Sequence, residues 1–477
     1  MVFSSYEFLF FFLPVVLAGY YLLSLLSNGI YQKLFLLGAS LFFYGYSNVS
    51  YLLLILASVA VNYWIAVRIQ NMGDAQKKMR MLLLAAGILF NVGLIGYYKY
   101  FDFFLTTVND IAGTDFVLHN ILLPLGISFF TFQQLSFLIS VYKKEERVDN
   151  LLNYALFVTF FPQLVAGPIV LYEEMIPQFA DERTRRFNAD HFATGLYIFA
   201  VGLFKKAVVA DTLALFADNG FGLSNMGLIG GWVTALSYTL QIYFDFSGYS
   251  DMAIGLGRLF NILLPTNFDR PYLSESITVF WRRWHITLGR ALSTYVYKPL
   301  GGNRKGIVRT CINLFLTFFV SGLWHGASWT FLVWGAIQGV IVVIERLCRD
   351  WLNKIPKALR IMATFLTTNF LWVLFRAESF ENAANVYRAM FNYRDIGYDN
   401  LTALALDGIV TFPAIMNCAY IFLLLGAALT VVFQGKERVS LGEKEAMTKS
   451  RLLIAVACVV LSVLCMGRES VFIYYNF

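Results

Sequence analysis

Residues 310–344 read TCINLFLTFFVSGLWHGASWTFLVWGAIQGVIVVI, a run without Asp, Glu, Lys or Arg that is bounded by Arg309 and Glu345. A helix needs about 20 apolar residues to cross the hydrocarbon core of a bilayer. The run is too long for one crossing. It therefore predicts two membrane helices joined by a turn, which enter and leave on the same side. This helical pair makes an integral membrane protein the first expectation.

Other charge-free stretches extend this expectation along the whole chain. Seven more stretches of at least 18 residues lack charged side chains: 8–32, 34–67, 81–98, 116–142, 150–172, 219–244 and 408–435. The 34–67 stretch again predicts two helices, with a turn at Tyr44–Asn48. With shorter apolar runs at 192–204, 361–375 and 452–467, the sequence predicts about ten or eleven membrane segments, some of them re-entrant. The predicted fold is all-α and integral to the membrane, with residues 1–477 as one domain.

The composition agrees with a membrane protein. Hydrophobic residues make up 58% of the chain and charged residues 14%, against about 25% charged in a soluble domain. The net charge of +7 comes from basic residues in short loops, which indicates topology and no nucleic-acid partner. The five cysteines form no CxxC pair, so neither a disulfide framework nor a metal site is predicted. The first apolar run lacks a basic n-region and a cleavage site, so no cleaved signal peptide is expected.

The distribution of Lys and Arg predicts the orientation. Segments 68–80, 266–309, 345–360 and 436–451 are rich in basic residues and are predicted to be cytoplasmic. The N-terminus, loop 376–407 and the last ten residues carry few basic residues or more acids than bases. They are predicted to be extracytoplasmic.

His325 is the first candidate for catalysis. It lies in SGLWHGASW (321–329), near the middle of the longest charge-free stretch. An ionisable group at such a position is costly and marks a functional site by default. Gly322 and Gly326 flank it and permit the close approach of backbone or ligand. An imidazole titrates near pH 6.5 and can take and return a hydroxyl proton. The alternative is a histidine that only hydrogen-bonds a neighbouring helix.

A second histidine lies in a basic, aromatic segment, FWRRWHITLGR (280–290). Apolar residues at helical spacing predict an interfacial amphipathic helix, with His285 as a second polar group pointing inward. Arg282 and Arg283 have two open interpretations. They either bind anionic membrane lipid or hold the phosphates of a nucleotide-tailed donor.

Three weaker features complete the set. Two prolines and a glycine in FFPQLVAGP (160–168) predict a re-entrant or broken helix that lines a cavity. Asp245 and Asp251 lie in or at the edge of an apolar span and are predicted to pair within the bundle. Gly335 and Gly339 predict close helix packing.

Together these motifs resemble the membrane-bound O-acyltransferase family, in its branch of alginate O-acetyltransferases and teichoic-acid D-alanyl transferases. The matching stretches run almost from end to end: 1–12, 126–134, 160–169, 243–255, FWRRWHITL (280–288), PLGGNR (299–304) and SGLWHGASW (321–329). The resemblance implies a ring of tilted helices around a central funnel. It also implies that His325 is the catalytic histidine and His285 the second histidine of the motif, with a thioester donor in the cytoplasm and an acceptor outside.

The resemblance predicts an O-acyltransferase that moves acetyl from cytoplasmic acetyl-CoA toward an extracytoplasmic cell-surface polysaccharide. Acetyl-CoA is a substrate, and no bound cofactor is expected. Loop 376–407 holds no Ser/His/Asp set, so an extracytoplasmic acetyltransferase partner is expected to finish the reaction. The predicted location is the bacterial cytoplasmic membrane. D-alanyl transfer from a carrier protein to teichoic acid is the alternative reaction. A transporter or export channel is the alternative class, although no paired half-repeats support it.

The aromatic tail FIYYNF (472–477) has two interpretations. It either anchors at the interface or folds back so that a tyrosine hydroxyl lies near His325. In the second case the imidazole activates the phenol to take the acyl group from the thioester. A tail of this kind also ends related alginate-type enzymes. Tyr474 is the first choice, although spacing does not separate it from Tyr475.

Overall fold

The computed structural model describes residues 1–26, 28–396, 414–434, 447–466 and 472–473, and in these ranges the chain is helical without a sheet. The first ten helices are α1 Phe8–Leu23, α2 Ile30–Gly45, α3 Val49–Asn71, α4 Lys77–Ala112, α5 Ile127–Lys143, α6 Leu151–Thr159, α7 Phe161–Leu164, α8 Tyr172–Ala180, α9 Ala189–Phe204 and α10 Asp211–Gly222. The next ten are α11 Leu228–Leu259, α12 Ile277–Arg283, α13 Ile286–Leu292, α14 Gly306–His325, α15 Trp329–Leu347, α16 Arg349–Leu352, α17 Lys357–Arg376, α18 Phe380–Met390, α19 Ala414–Gln434 and α20 Lys449–Cys465. The predicted all-α class is confirmed.

Five of the described helices are long and apolar enough to cross a membrane, namely α3, α4, α14, α15 and α17. Only 17–50% of their most apolar windows is buried inside the protein, so much of this apolar surface is left for lipid. The chain is therefore a multi-pass membrane protein. The total of ten to eleven membrane segments stays a prediction.

Both long charge-free stretches form the predicted helical pairs. α2 and α3 are joined by a short turn, after which the Asn48 side chain accepts a hydrogen bond from the Ser50 amide and caps α3. α14 and α15 form the second pair. Here Gly335 lies against Gly322, and a Cβ on Gly335 would be 2.9 Å from the Gly322 Cα. The predicted close packing at the small residues of α15 is confirmed.

The centre of the molecule is α11, a 32-residue helix that is buried along almost all of its length. It contacts α9, α10, α17 and α18. Its two acids are both paired: Asp251 with Lys205 at 2.7 Å and Asp245 with Lys206 at 2.8 Å. Both lysines come from the π-helical turn Lys205–Ala210 that follows α9. The predicted structural pairing of the two aspartates is confirmed.

The stretch 150–172 corrects two expectations. It holds no single crossing helix, because α6 ends at Thr159 after nine residues, about 14 Å of helix, and the chain turns at Phe160. The broken helix predicted at 160–168 is therefore present. However, its residues are buried in the core, where Phe161 packs against aromatic rings of α1 and α2, and none of them lines the large cavity described below.

Candidate active site

The hairpin of α14 and α15 places His325 at its tip. α14 ends at His325, and Gly326 continues in an extended conformation toward Ser328, whose hydroxyl caps α15. A Cβ on Gly322 would lie 2.4 Å from the Phe331 carbonyl oxygen, so only glycine permits this approach of the two helices. The turn predicted within the charge-free run thus carries the histidine.

Aromatic rings enclose the His325 side chain, which is 1% exposed. Its ring centroid lies 5.1 Å from that of Trp324, 5.3 Å from that of Trp334 and 5.2 Å from that of Phe375. These contacts keep bulk water away from the imidazole. Exclusion of water strengthens electrostatic interactions and protects a reactive ester from hydrolysis.

His285 lies at a break between two short helices. The predicted continuous amphipathic helix is wrong, because the chain leaves α12 at Trp284 and enters α13 after His285, which has a left-handed φ of 48°. Trp284 is fully buried and pairs with Phe268 in an isolated β-bridge, so this segment packs into the protein core. The break turns His285 inward, as predicted, and its Nδ1 lies 3.2 Å from the Asn267 side-chain oxygen.

Trp324 connects the two candidate histidines. Its ring centroid lies 5.9 Å from the His285 ring and 5.1 Å from the His325 ring. Residues 40 positions apart in the sequence therefore meet around one indole. This arrangement holds both imidazoles in the same buried region.

Lys99 and Tyr100 also belong to this region, and sequence reasoning missed them. The Lys99 ammonium donates to the carbonyl oxygens of Trp324 at 2.5 Å and of His325 at 3.3 Å, and the Tyr100 hydroxyl donates to that of Leu323. The sequence feature that could have identified Lys99 is its position, because it directly follows the charge-free stretch 81–98.

A cavity of about 1130 Å³ opens beside these residues. His285 and Ser321 line it, and so do Arg282, Arg346 and Arg349. Arg283 does not line it, and its guanidinium instead donates to the Leu273 carbonyl oxygen at 3.4 Å. Of the two arginines predicted to bind either the donor or lipid, only Arg282 therefore lines the cavity.

The cationic side chains of the cavity fall into two groups. Arg290 pairs with Glu174, and Arg360 pairs with Glu275 at 2.8 Å. Arg282, Arg346 and Arg349 are exposed and form no ion pair with the described residues. Unpaired guanidinium groups recognise phosphates well because their donors match phosphate oxygens in pairs.

Phe472 and Ile473, close to the end of the sequence, pack on α11. Tyr474 lies outside the described residues, but the two residues before it are described. Phe472 is 2% exposed and stacks on Tyr249 with centroids 4.4 Å apart, and the Ile473 amide donates to Asp245 at 2.9 Å. Phe246 contacts the ring of Phe472 at 6.2 Å and the ring of His285 at 4.7 Å.

Comparison with known proteins shows the family to which the chain belongs. Residues 43–382 match the family model described as "MBOAT, membrane-bound O-acyltransferase family". The chain belongs to this family. It is 40% identical to the peptidoglycan O-acetyltransferase of Helicobacter pylori, over 100% of this chain and 98% of the relative. The predicted family and the prediction of an O-acyltransferase enzyme are thus confirmed, and the transporter alternative is wrong.

Two further relatives represent the other reactions considered. The chain is 43% identical to a Pseudomonas aeruginosa protein named "Probable alginate O-acetylase AlgI", over 86% of this chain and 79% of the relative. It is 26% identical to the teichoic acid D-alanyltransferase of Bacillus subtilis, over 55% of this chain and 71% of the relative. This membrane-bound O-acyltransferase is therefore much more similar to the O-acetylating relatives.

Proposed function

We propose that this enzyme transfers an acetyl group from cytoplasmic acetyl-CoA across a bacterial cytoplasmic membrane, for O-acetylation of a cell-surface polysaccharide. One observation carries the proposal. The large cavity is lined by Arg282, Arg346 and Arg349, which form no ion pair within the described part of the chain. It also reaches His285, which meets His325 around Trp324.

The cavity suits a donor with an anionic nucleotide tail and a small acyl group. Its volume of about 1130 Å³ exceeds that of ordinary ligand pockets, which measure about 300–1000 Å³. The arginines bind the phosphates, and the apolar wall accommodates the arm that carries the thioester. The proposed phosphate-binding residues are therefore Arg282, Arg346 and Arg349. Arg283 is not one of them, because its side chain does not line the cavity.

His325 is the proposed base. It removes the proton from the acceptor hydroxyl, whose oxygen attacks the carbonyl carbon of the thioester. The carbon–sulfur bond breaks, and the imidazolium returns the proton to the departing thiolate, so that an ester and free CoA result. A positioned base of this kind contributes about 10²–10⁴-fold to the rate. His285, at the inner end of the cavity, is the assisting polar group.

Tyr474 is the proposed first acceptor. The neighbouring residues Phe472 and Ile473 support this role because they themselves contact α11, and Phe472 lies beside Phe246, which also contacts His285. The phenyl ester of Tyr474 is a reactive intermediate, since a phenol with a pKa near 10 is a good leaving group. A hydroxyl of the extracytoplasmic partner then takes the acetyl group, and the phenol is regenerated.

The acceptor polymer is a glycan of the cell surface. The relative that matches this chain over its whole length is named for peptidoglycan, and the next is named for alginate. Peptidoglycan is therefore the first polymer to test. The lower identity to the D-alanyltransferase favours acetyl over D-alanyl as the transferred group.

The test is transfer of labelled acetyl from acetyl-CoA in membrane vesicles that contain the full chain. After incubation, mass spectrometry of the C-terminal peptide is expected to find acetyl on Tyr474, and the Tyr474→Phe variant is expected to lose transfer. Tyr475→Phe is the matched control and keeps transfer. If neither tyrosine carries acetyl and both variants transfer normally, the tail is only an anchor. If the wild type takes no label from acetyl-CoA but takes it from a D-alanyl carrier, the donor assignment is wrong.

A further inference from the structure

Three carbonyl groups at the end of α14 are satisfied from α4. The last carbonyls of a helix have no partner within the helix and must find one elsewhere. Here the Tyr100 hydroxyl donates to the carbonyl of Leu323, and the Lys99 ammonium donates to those of Trp324 and His325. These are the last three residues of the helix that carries the proposed base.

The bond that α14 itself supplies at this end is weak. The Gly326 amide donates to the Gly322 carbonyl at 3.4 Å, and Gly326 then leaves the helix in an extended conformation. Basic side chains near a helix C-terminus can donate hydrogen bonds to its last carbonyl groups. Lys99 supplies such a donor, and its side-chain nitrogen also lies 5.8 Å from the centre of the Trp324 ring.

The backbone of α4 is adapted to present these two side chains. Gly96–Tyr100 form a π-helical turn within the 36-residue helix, and such turns frequently occur at functional sites. Among the described residues, no carboxylate pairs with Lys99, which instead bonds only these backbone oxygens. An ionisable residue is costly to place in an apolar membrane helix, so it is a candidate for a functional role.

We propose that Lys99, with Tyr100, is a positioning residue for the base, and that it fixes the last turn of α14 so that the His325 ring is held toward the reacting groups. This inference rests on the proposed role of His325. Lys99 acts through the α14 backbone and does not itself exchange a proton with substrate. A displacement of about 1 Å in a reacting group costs about 10²-fold in rate, so loss of the clamp is expected to reduce turnover.

The experiment compares variants of the full chain in membranes. Lys99→Met removes the hydrogen-bond donors but keeps the length of the side chain, and Lys99→Arg restores hydrogen-bond donors. Tyr100→Phe removes only the hydroxyl. Two controls match these changes on the same helix: Lys78→Met, at its exposed start, and Tyr97→Phe, on the same turn and with an exposed ring.

Two readouts separate this proposal from the donor assignment. Ester-linked acyl groups on the surface polymers of complemented cells report transfer without assuming a donor. Initial rates with labelled acetyl-CoA in vesicles separate kcat from KM. Lys99→Met is expected to lower kcat about 10- to 100-fold with an unchanged KM, Lys99→Arg to recover most of the loss, and Tyr100→Phe to show a smaller loss.

Normal acylation of surface polymers by Lys99→Met would overturn the proposal, whatever the donor. It would also be overturned if Lys99→Met and Lys99→Arg both lowered the amount of protein in the membrane while activity per molecule stayed normal, since Lys99 would then serve stability alone. A failure of the wild type with acetyl-CoA in vesicles contradicts the donor assignment, and the cell readout still decides the role of Lys99.

Discussion

His325 combines two properties that bear on its role. It is buried to 1% exposure among the rings of Trp324, Trp334 and Phe375, and it terminates a helix whose end carbonyls are bound by another helix. The first property keeps bulk water from the imidazole, and the second supplies hydrogen-bond partners for the backbone that carries it. Both favour a catalytic role over a merely structural one.

The most direct prediction at this scale is that His325→Ala abolishes acyl transfer while the protein still accumulates in the membrane. The expected loss is about 10²–10⁴-fold because a general base contributes that much. Ester-linked acyl groups on surface polymers measure it, with membrane abundance determined on the same samples. A well-expressed variant with full transfer would remove His325 from the mechanism.

A second prediction separates the two neighbouring arginines. Arg282→Gln is expected to raise the KM for acetyl-CoA about 3- to 10-fold, since it removes one charge-assisted contact to phosphate at an exposed position. Arg283→Gln is the matched control and should leave KM unchanged, because its side chain lies outside the cavity. An equal change in the KM for acetyl-CoA in both variants would indicate that the two arginines bind anionic lipid instead.

At the scale of elements, breaks in the helices place the functional groups. His285 has a left-handed φ that separates α12 from α13. The resulting break directs the imidazole into the core, although the residue belongs to a basic segment. The turn after His325 ends α14, and the π-helical turn of α4 presents Lys99 to that end. In each case the local departure from a regular helix is stabilised by contacts with another element.

The segment between α11 and α14 carries the topology prediction. Segment 266–309 holds eight Lys or Arg against Asp269 and Glu275, so it is predicted to face the cytoplasm. A cysteine introduced by Asn303→Cys, at the edge of the large cavity, should resist an impermeant thiol reagent in intact cells and react after permeabilisation. Labelling from outside intact cells would overturn the orientation and the cytoplasmic donor with it.

At the scale of the whole molecule, Phe3 and Phe472, which are far apart in the sequence, meet on the central helix. Phe3 stacks on Tyr249 with ring centroids 4.8 Å apart, and Phe472 stacks on the same tyrosine at 4.4 Å. α11 thereby connects the N-terminus, the docked tail and, through Phe246, the region of His285. The assignment of residues 1–477 to one domain stays a prediction.

The prediction at this scale is that the enzyme requires a partner outside the membrane. Loop 376–407, the largest predicted outer loop, has no Ser/His/Asp set to hold a polymer and transfer the acyl group to it. Vesicles that contain only this chain are expected to form the acetylated tail without acetylating added peptidoglycan. Efficient acetylation of the polymer by the purified protein alone would show that no partner is needed.

The sequence by itself determined the all-helical membrane class, the two helical pairs, the pairing of the buried aspartates and the choice of His325 and His285 as candidates. All of these except the choice of His285 follow from where charge is absent along the chain, because hydropathy is a local property and burying an ionisable group in lipid is costly wherever it occurs. His285 was chosen instead from its basic, aromatic segment, FWRRWHITLGR (280–290). The close packing of Gly335 was predictable from another local pattern, since small residues at helical spacing mark helix contacts.

Only the tertiary structure decided which of these residues meet. Lys99 bonds the His325 carbonyl 226 residues away, and Arg346 and Arg349 share a cavity with Arg282 although they belong to a different segment. The break at His285 is stabilised by the bridge from Phe268 and the contact with Asn267, neither of which lies in its own helix. Such contacts depend on how helices pack, and an apolar pattern that marks each helix for the membrane does not specify which neighbour it will face.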